Sequence, residues 1–163
     1  MAEGTVHRLG RGIYRKTGAP IADEELIEVA LRAPEATLCL TSALAHHELT
    51  DEIPSRIDVA LPRTRRQPRV NAPVRWHRFA DATFHLGREL LQVDDGVRIG
   101  LYSAERTIVD SFRLRHLEGE APAVEALRRW LRTPGATPAM LLDLARRFPK
   151  AHDAVLTTLK ILL

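Results

Sequence analysis

Arginine supplies the densest chemistry in this chain. Residues 59–80 hold Arg63, Arg65, Arg66, Arg69, Arg75 and Arg78 without a single acid. A guanidinium presents a planar fork of donors that suits bidentate contacts to carboxylate or phosphate, and lysine does not occur in this stretch. Trp76 lies among these arginines and offers a ring on which a base or a partner side chain can stack. The composition of the patch fits both RNA and an acidic protein surface. A second stretch, residues 4–22, holds Arg8, Arg11, Arg15 and Lys16, again with no acid. With these two stretches set aside the rest of the chain is net acidic, although the formal charge is +3. That distribution describes a mildly acidic body with two anion-facing patches, not a uniform nucleic-acid coat. Arg63, Arg65, Arg66, Arg69 and Trp76 are therefore expected to face a partner, and Arg8, Arg11, Arg15 and Lys16 to face nucleic acid.

Catalytic patterns are harder to find. A phosphate-binding loop needs lysine directly after glycine, and none of Lys16, Lys150 and Lys160 meets that condition. The Gly10-x-Gly12 pair lacks the third glycine and the following helix of a dinucleotide fold. No Gly-x-Ser-x-Gly elbow occurs. A restriction-type nuclease needs an acid two residues before a lysine, which this sequence lacks, so Asp58 is expected to be a strand-edge charge and not a metal ligand. In His46-His47-Glu48 the adjacent side chains of a helix diverge by about 100°, which separates them as ligands. His47 instead suits a helix end, where a cationic ring meets the negative pole of the helix dipole. No metal and no cofactor is expected, and the chain is read as a non-enzyme, with a nuclease-like enzyme as the weakest alternative.

Arg106 and Asp110 stand one helical turn apart after Ser103, a spacing that permits an ion pair. They are expected at the surface, as a simple pair or as part of a partner-facing stripe.

The elements that must position these residues follow from periodicity. VHRLGRGIYRK (6–16) reads as a strand pair turning at Gly10 and Gly12. Asp23 suits the N-cap of a helix carrying Leu26, Ile27, Ala30 and Leu31 inward, stopped by Pro34. A second helix is expected over Leu38 to His47, with Leu40, Ala43 and Leu44 inward. IDVALP (57–62) and VRWHRF (74–79) read as strands joined by the basic loop. Residues 84–93 and 97–103 flank Asp94-Asp95-Gly96, a hairpin turn that exploits glycine's access to positive φ. Ser103 caps an amphipathic helix ending near Arg115, and further helices fit 121–132, 138–148 and 151–162, with Thr137 as an N-cap. The expected fold is α+β: a mixed, mainly antiparallel sheet of about four strands packed with helices, then a helical subdomain, divided as 1–20, 21–116 and 117–163.

A chain of 163 residues with 45% hydrophobic and 28% charged side chains can bury one core and is neither disordered nor fibrous. The single cysteine, Cys39, excludes an internal disulfide and reads as a small core residue. No apolar stretch approaches the length of a membrane span and the first residues lack a secretory apolar region, so a cytoplasmic protein is expected.

Two segments bear a family likeness. ATLCLTSALAHHELTDEIPSRIDVALPRTRRQP (36–68) resembles the core signature of AbiEi antitoxins, and YSAERTIVDSFRLR (102–115) resembles their second motif. HRLGRGIYRK (7–16) is similar to the wing of the winged helix-turn-helix that precedes this domain in the family. The resemblance covers roughly residues 7–131, and it departs from the family at Arg106, where lysine is common. It implies a toxin–antitoxin protein of phage defence by abortive infection, one that counters a nucleotidyltransferase-like toxin encoded beside it, by direct capture or indirectly. It also implies a transcriptional regulator of its own operon in full-length members. Here residues 1–20 are expected to be only a remnant of the wing, so operator DNA is expected to bind weakly.

Overall fold

The computed structural model describes residues 23–163 in full and, before them, the backbone of residues 6–10 and 13–16. Strands β1 (Val6–Gly10) and β2 (Ile13–Lys16) form the expected antiparallel pair, with Arg8 opposite Tyr14. The side chains of Arg8, Arg15 and Lys16, and the whole of Arg11, lie outside the described residues.

Helix α1 (Glu24–Arg32) begins where Asp23 was expected to cap it: the carboxylate accepts from the amides of Glu25 at 3.1 Å and Leu26 at 3.2 Å. Such a cap contributes about 1 kcal/mol. Ile27 and Ala30 are buried as expected and Leu26 packs partly buried against the core, but Glu28 and Val29 are inside as well and Leu31 is half exposed. The next helix is shorter than expected. Thr37–Leu38 is a strand, β3, and α2 (Leu40–His46) starts after Cys39. Leu40, Ala43 and Leu44 are buried as anticipated. Burial pushes the Cys39 thiol well above its ordinary pKa, and the nearby Asp58 carboxylate adds to the shift, so the thiol stays protonated.

Four longer elements complete the sheet: β4 (Ile57–Pro62), β5 (Val74–Phe79), β6 (Arg88–Asp94) and β7 (Val97–Tyr102). Among the described residues the strand order is β5-β4-β3-β7-β6. The sheet is mixed as expected, but the antiparallel ladders do not dominate: β3–β4 and β6–β7 are antiparallel, β3–β7 and β4–β5 parallel. The strand missed in the sequence, β3, joins the two halves. It is only two residues long, too short for a period-two pattern to register. The expected Asp-Gly hairpin joins β6 to β7, with Gly96 at φ +68°.

Alternation then sorts the side chains. Leu38, Val59, Leu61, Trp76, Ile99 and Leu101 face α1 and form one core with Val29, Ala30 and Ala33. The opposite face carries Ala60, Phe79 and Tyr102, packed with Leu40 of α2 and with Phe84.

Helix α3 (Ala104–Arg113) lies against that second face, and Ser103 caps it by accepting from the Arg106 amide at 3.1 Å. The chain continues through α4 (Arg115–Glu118), α5 (Glu120–Leu131), α6 (Pro138–Ala145) and α7 (Pro149–Leu162), with Thr137 in place as N-cap residue but making no side-chain cap bond. The helical part has no core of its own. Ile108, Val109 and Phe112 of α3 and Leu44 of α2 share one buried cluster with Leu127, Trp130, Leu141 and Val155. Among the described residues no helix is long and apolar enough to cross a membrane.

The connection from β5 to β6 passes over α3 through a 3-10 turn (Asp81–Thr83) and Gly87. Gly87 has φ +70°, and a Cβ there would lie 2.7 Å from Arg106 Cβ. Gly87→Ala therefore combines backbone strain with a clash against a rigid stem, and urea unfolding should show a loss of about 1–3 kcal/mol. A loss below about 0.5 kcal/mol, the range of neutral surface changes, would contradict this packing.

Candidate functional site

The loop between β4 and β5 (residues 63–73) carries most of the arginine patch, and its shape is fixed from several sides. Glu28, buried in α1, accepts from the amides of Asn71 at 2.5 Å and Ala72 at 2.9 Å. Arg65 Nε donates to Glu35 at 3.0 Å. Thr64 donates to Asp81 through both its amide and its hydroxyl, and Arg78 donates to the Arg65 carbonyl. These bonds hold the loop against α1 and the far end of β5. Three of its cations are left over: Arg63, Arg66 and Arg69 are exposed, and none has an acidic partner among the described residues. A pinned backbone bearing free guanidinia loses little entropy when an anionic partner docks.

Other members of the expected patch are turned elsewhere. Trp76 is half buried in the core under α1, so its ring is largely occupied. Arg75 points to the other face of the sheet. Its Nε donates to Asp58 at 2.7 Å and its Nη2 to Glu118 at 2.7 Å. His77 joins them, donating from Nε2 to the same Asp58 oxygen at 2.9 Å. The parallel register explains the meeting, since Asp58 stands opposite Arg75 and Ala60 opposite His77 on one face. Asp58 is thus a buried acceptor and not the strand-edge charge expected of it. The group borders a polar cleft of about 250 Å³ lined also by Thr41, Ser55 and Arg56. With Arg75 and His77 both donating to one oxygen, Asp58 is poorly placed to act as a general base.

The largest revision concerns Arg106 and Asp110, which are not at the surface at all. Both side chains are 0% exposed. Arg106 Nε donates to Asp110 at 3.0 Å, and its Nη1 donates to the carbonyls of Thr83 at 2.7 Å and Leu86 at 2.6 Å. The guanidinium carbon sits 4.2 Å from the Tyr102 ring centre and 4.6 Å from that of Phe148. Nη2 is the one buried side-chain nitrogen or oxygen without a hydrogen bond among the described residues, and the rings are its environment. Arg113 completes the arrangement by donating to the other Asp110 oxygen at 2.9 Å and lying over Phe79 at 4.6 Å. The Tyr102 hydroxyl donates to Phe84 O at 2.8 Å, and burial holds this phenol far above its ordinary pKa. The pair binds α3 to the β5–β6 connection, so it positions the scaffold and offers no contact to a partner.

His47 is found where a helix-end residue belongs, at the C-cap of α2, and its Nε2 donates to the Tyr102 carbonyl at 2.8 Å. Among the described residues no group of three or more His, Cys, Asp or Glu side chains is arranged to hold a metal ion. Sequence reasoning missed two groupings, Asp58 with Arg75, His77 and Glu118, and a basic cluster of Arg113, Arg115, His116 and Lys150. The first was detectable from the i, i+2 placement of Arg75 and His77 on a strand. The second unites residues more than thirty positions apart and left no local signal.

No protein-family model and no curated protein matches the chain.

The contrast between the two kinds of arginine is measurable. Arg106→Ala should cost about 3–5 kcal/mol in urea unfolding, because it empties a fully buried site and takes from the buried Asp110 one of its two cationic partners, leaving only Arg113. Arg63→Ala, Arg66→Ala and Arg69→Ala should each stay within about 0.5 kcal/mol of the parent. Equal effects at the two sites would contradict the assignment.

Proposed function

We propose that this protein is an antitoxin of the AbiEi type, a non-enzymatic cytoplasmic binding protein that neutralises a nucleotidyltransferase-like toxin encoded beside it. The observation that carries the reading is the pinned β4–β5 loop with Arg63, Arg66 and Arg69 unpaired among the described residues. Arg63 and Arg66 fall within the first motif on which the family resemblance rests, and Arg69 directly follows it. In this reading the three arginines meet an acidic surface of the toxin, with Arg65 at the edge of the contact. The expected partner role of Trp76 shrinks to supporting the sheet beneath the loop. Arg106 and Asp110 contribute by holding the scaffold. A lesser contact with operator DNA falls to the β1–β2 segment carrying Arg8, Arg11, Arg15 and Lys16.

Co-expression is the direct test. The protein should restore growth to cells producing the neighbouring nucleotidyltransferase-like toxin. The triple variant Arg63→Glu/Arg66→Glu/Arg69→Glu should remain folded and lose that rescue, with affinity falling at least about tenfold if the complex is direct. Soluble parent protein that fails to rescue, or a triple variant that rescues as well as the parent, would sink the proposal.

A further inference from the structure

A second cationic site lies at the α3–α4 corner, away from the arginine loop. Arg113, Arg115, His116 and Lys150 line an open cleft of about 670 Å³, and Glu120 is the one acid on its wall. Two of these side chains are braced by the fold. Arg115 Nη1 donates to Phe112 O at 2.6 Å and to Lys150 O at 3.0 Å, leaving Nε and Nη2 without a protein partner among the described residues. Arg113 is held by Asp110 and by the Phe79 ring, and its Nη1 is likewise uncommitted. His116 and Lys150 are exposed, and their side chains have no partner among the described residues.

The cleft continues into a groove of about 430 Å³ between α5 and α7, with Arg115 and Glu120 on the walls of both. There Val124, Ala154, Ile161 and Leu162 join the lining beside Arg128, Asp153, Thr157 and Thr158, with Ile161 78% exposed. A cationic head region thus runs into a groove of mixed lining with an apolar strip along Val124, Ala154, Ile161 and Leu162, both within the size range of small-ligand sites.

We propose that this cleft seats a small organic phosphate ester, its phosphate between Arg115, His116 and Lys150 and its organic body along the α5–α7 groove over Val124, Ala154 and Ile161. Arg113 is already shared with Asp110, so the free cations are Arg115 and Lys150 against Glu120, and uncommitted donors remain on Arg115 Nε and Nη2, His116 and Lys150. A phosphate monoester brings about −1.5 to −2 charges and three acceptor oxygens, enough to engage the free donors of Arg115, His116 and Lys150 together, where a carboxylate has two oxygens. The groove distinguishes an ester from bare phosphate, since only a ligand with a body covers the exposed Ile161. The proposal is independent of the antitoxin reading.

Calorimetric titration of the full chain with adenosine monophosphate and with inorganic phosphate tests it. Adenosine monophosphate should bind more tightly than inorganic phosphate by about tenfold or more. The double variant His116→Ala/Lys150→Ala, in which both altered side chains are exposed and unpartnered, should keep the parent's Tm and weaken both ligands by about tenfold. Ile161→Ser should weaken the nucleotide alone. Absence of nucleotide binding at millimolar concentration, or binding untouched by the double variant, would overturn the proposal. So would a short single-stranded oligonucleotide that binds through Lys150 while the monophosphate does no better than inorganic phosphate, because the phosphate source would then be a nucleic-acid backbone.

Discussion

A charged guanidinium with no exposed surface is the constraint around which this molecule is arranged. Removing an ion from water costs several kcal/mol even after relaxation, and the loss is offset only if the charge is paired and its hydrogen bonds are met. Arg106 is paired with Asp110 and bonded to two backbone carbonyls, while its Nη2 makes no hydrogen bond and lies against two aromatic faces instead. Each partner comes from a different part of the chain: α3 itself, the β5–β6 connection, the end of β7 and the residue before α7. Satisfying one side chain therefore brings the sheet, the connection and the helical part into register. Gly87 is bare because Arg106 Cβ occupies the space its own would need.

The same residue type serves opposite ends elsewhere, and neighbours decide which. Arg75 is neutralised by Asp58 and Glu118, and Arg129 ties Asp51 to α5 through two donors at 3.0 and 2.6 Å. These arginines consume the acids near them and act as fasteners. Arg63, Arg66 and Arg69, on a loop held by Glu28 and Asp81, have no such acid among the described residues. Cations left over on a fixed backbone are available for recognition, and those inside are not.

Much of the architecture was legible in the sequence because it is local. Asp23 and Ser103 as caps, the Asp95-Gly96 turn, and Leu40, Ala43 and Leu44 facing inward each depend on a few adjacent residues. What escaped depends on distant partners. Strand β3 is defined by Ala60 and Gly100 beside it and not by its own two residues. The parallel pairing of β4 with β5 is invisible when each strand is read alone. For the candidate site, the exposure of Arg63, Arg65, Arg66 and Arg69 was anticipated. Arg106 and Asp110 were misplaced because an i, i+4 ion pair looks the same on a wet face as in a core. Only Thr83, Leu86, Tyr102 and Phe148, all remote in sequence or lacking charge, make the difference.

If the buried pair organises the fold, its two members must be energetically coupled. A double-mutant cycle on Arg106→Met and Asp110→Leu, read by urea unfolding, measures this directly. The expected coupling energy is about 2–3 kcal/mol, with the double variant far less destabilised than the sum of the singles. A coupling below about 0.5 kcal/mol, the value for independent sites, would contradict it.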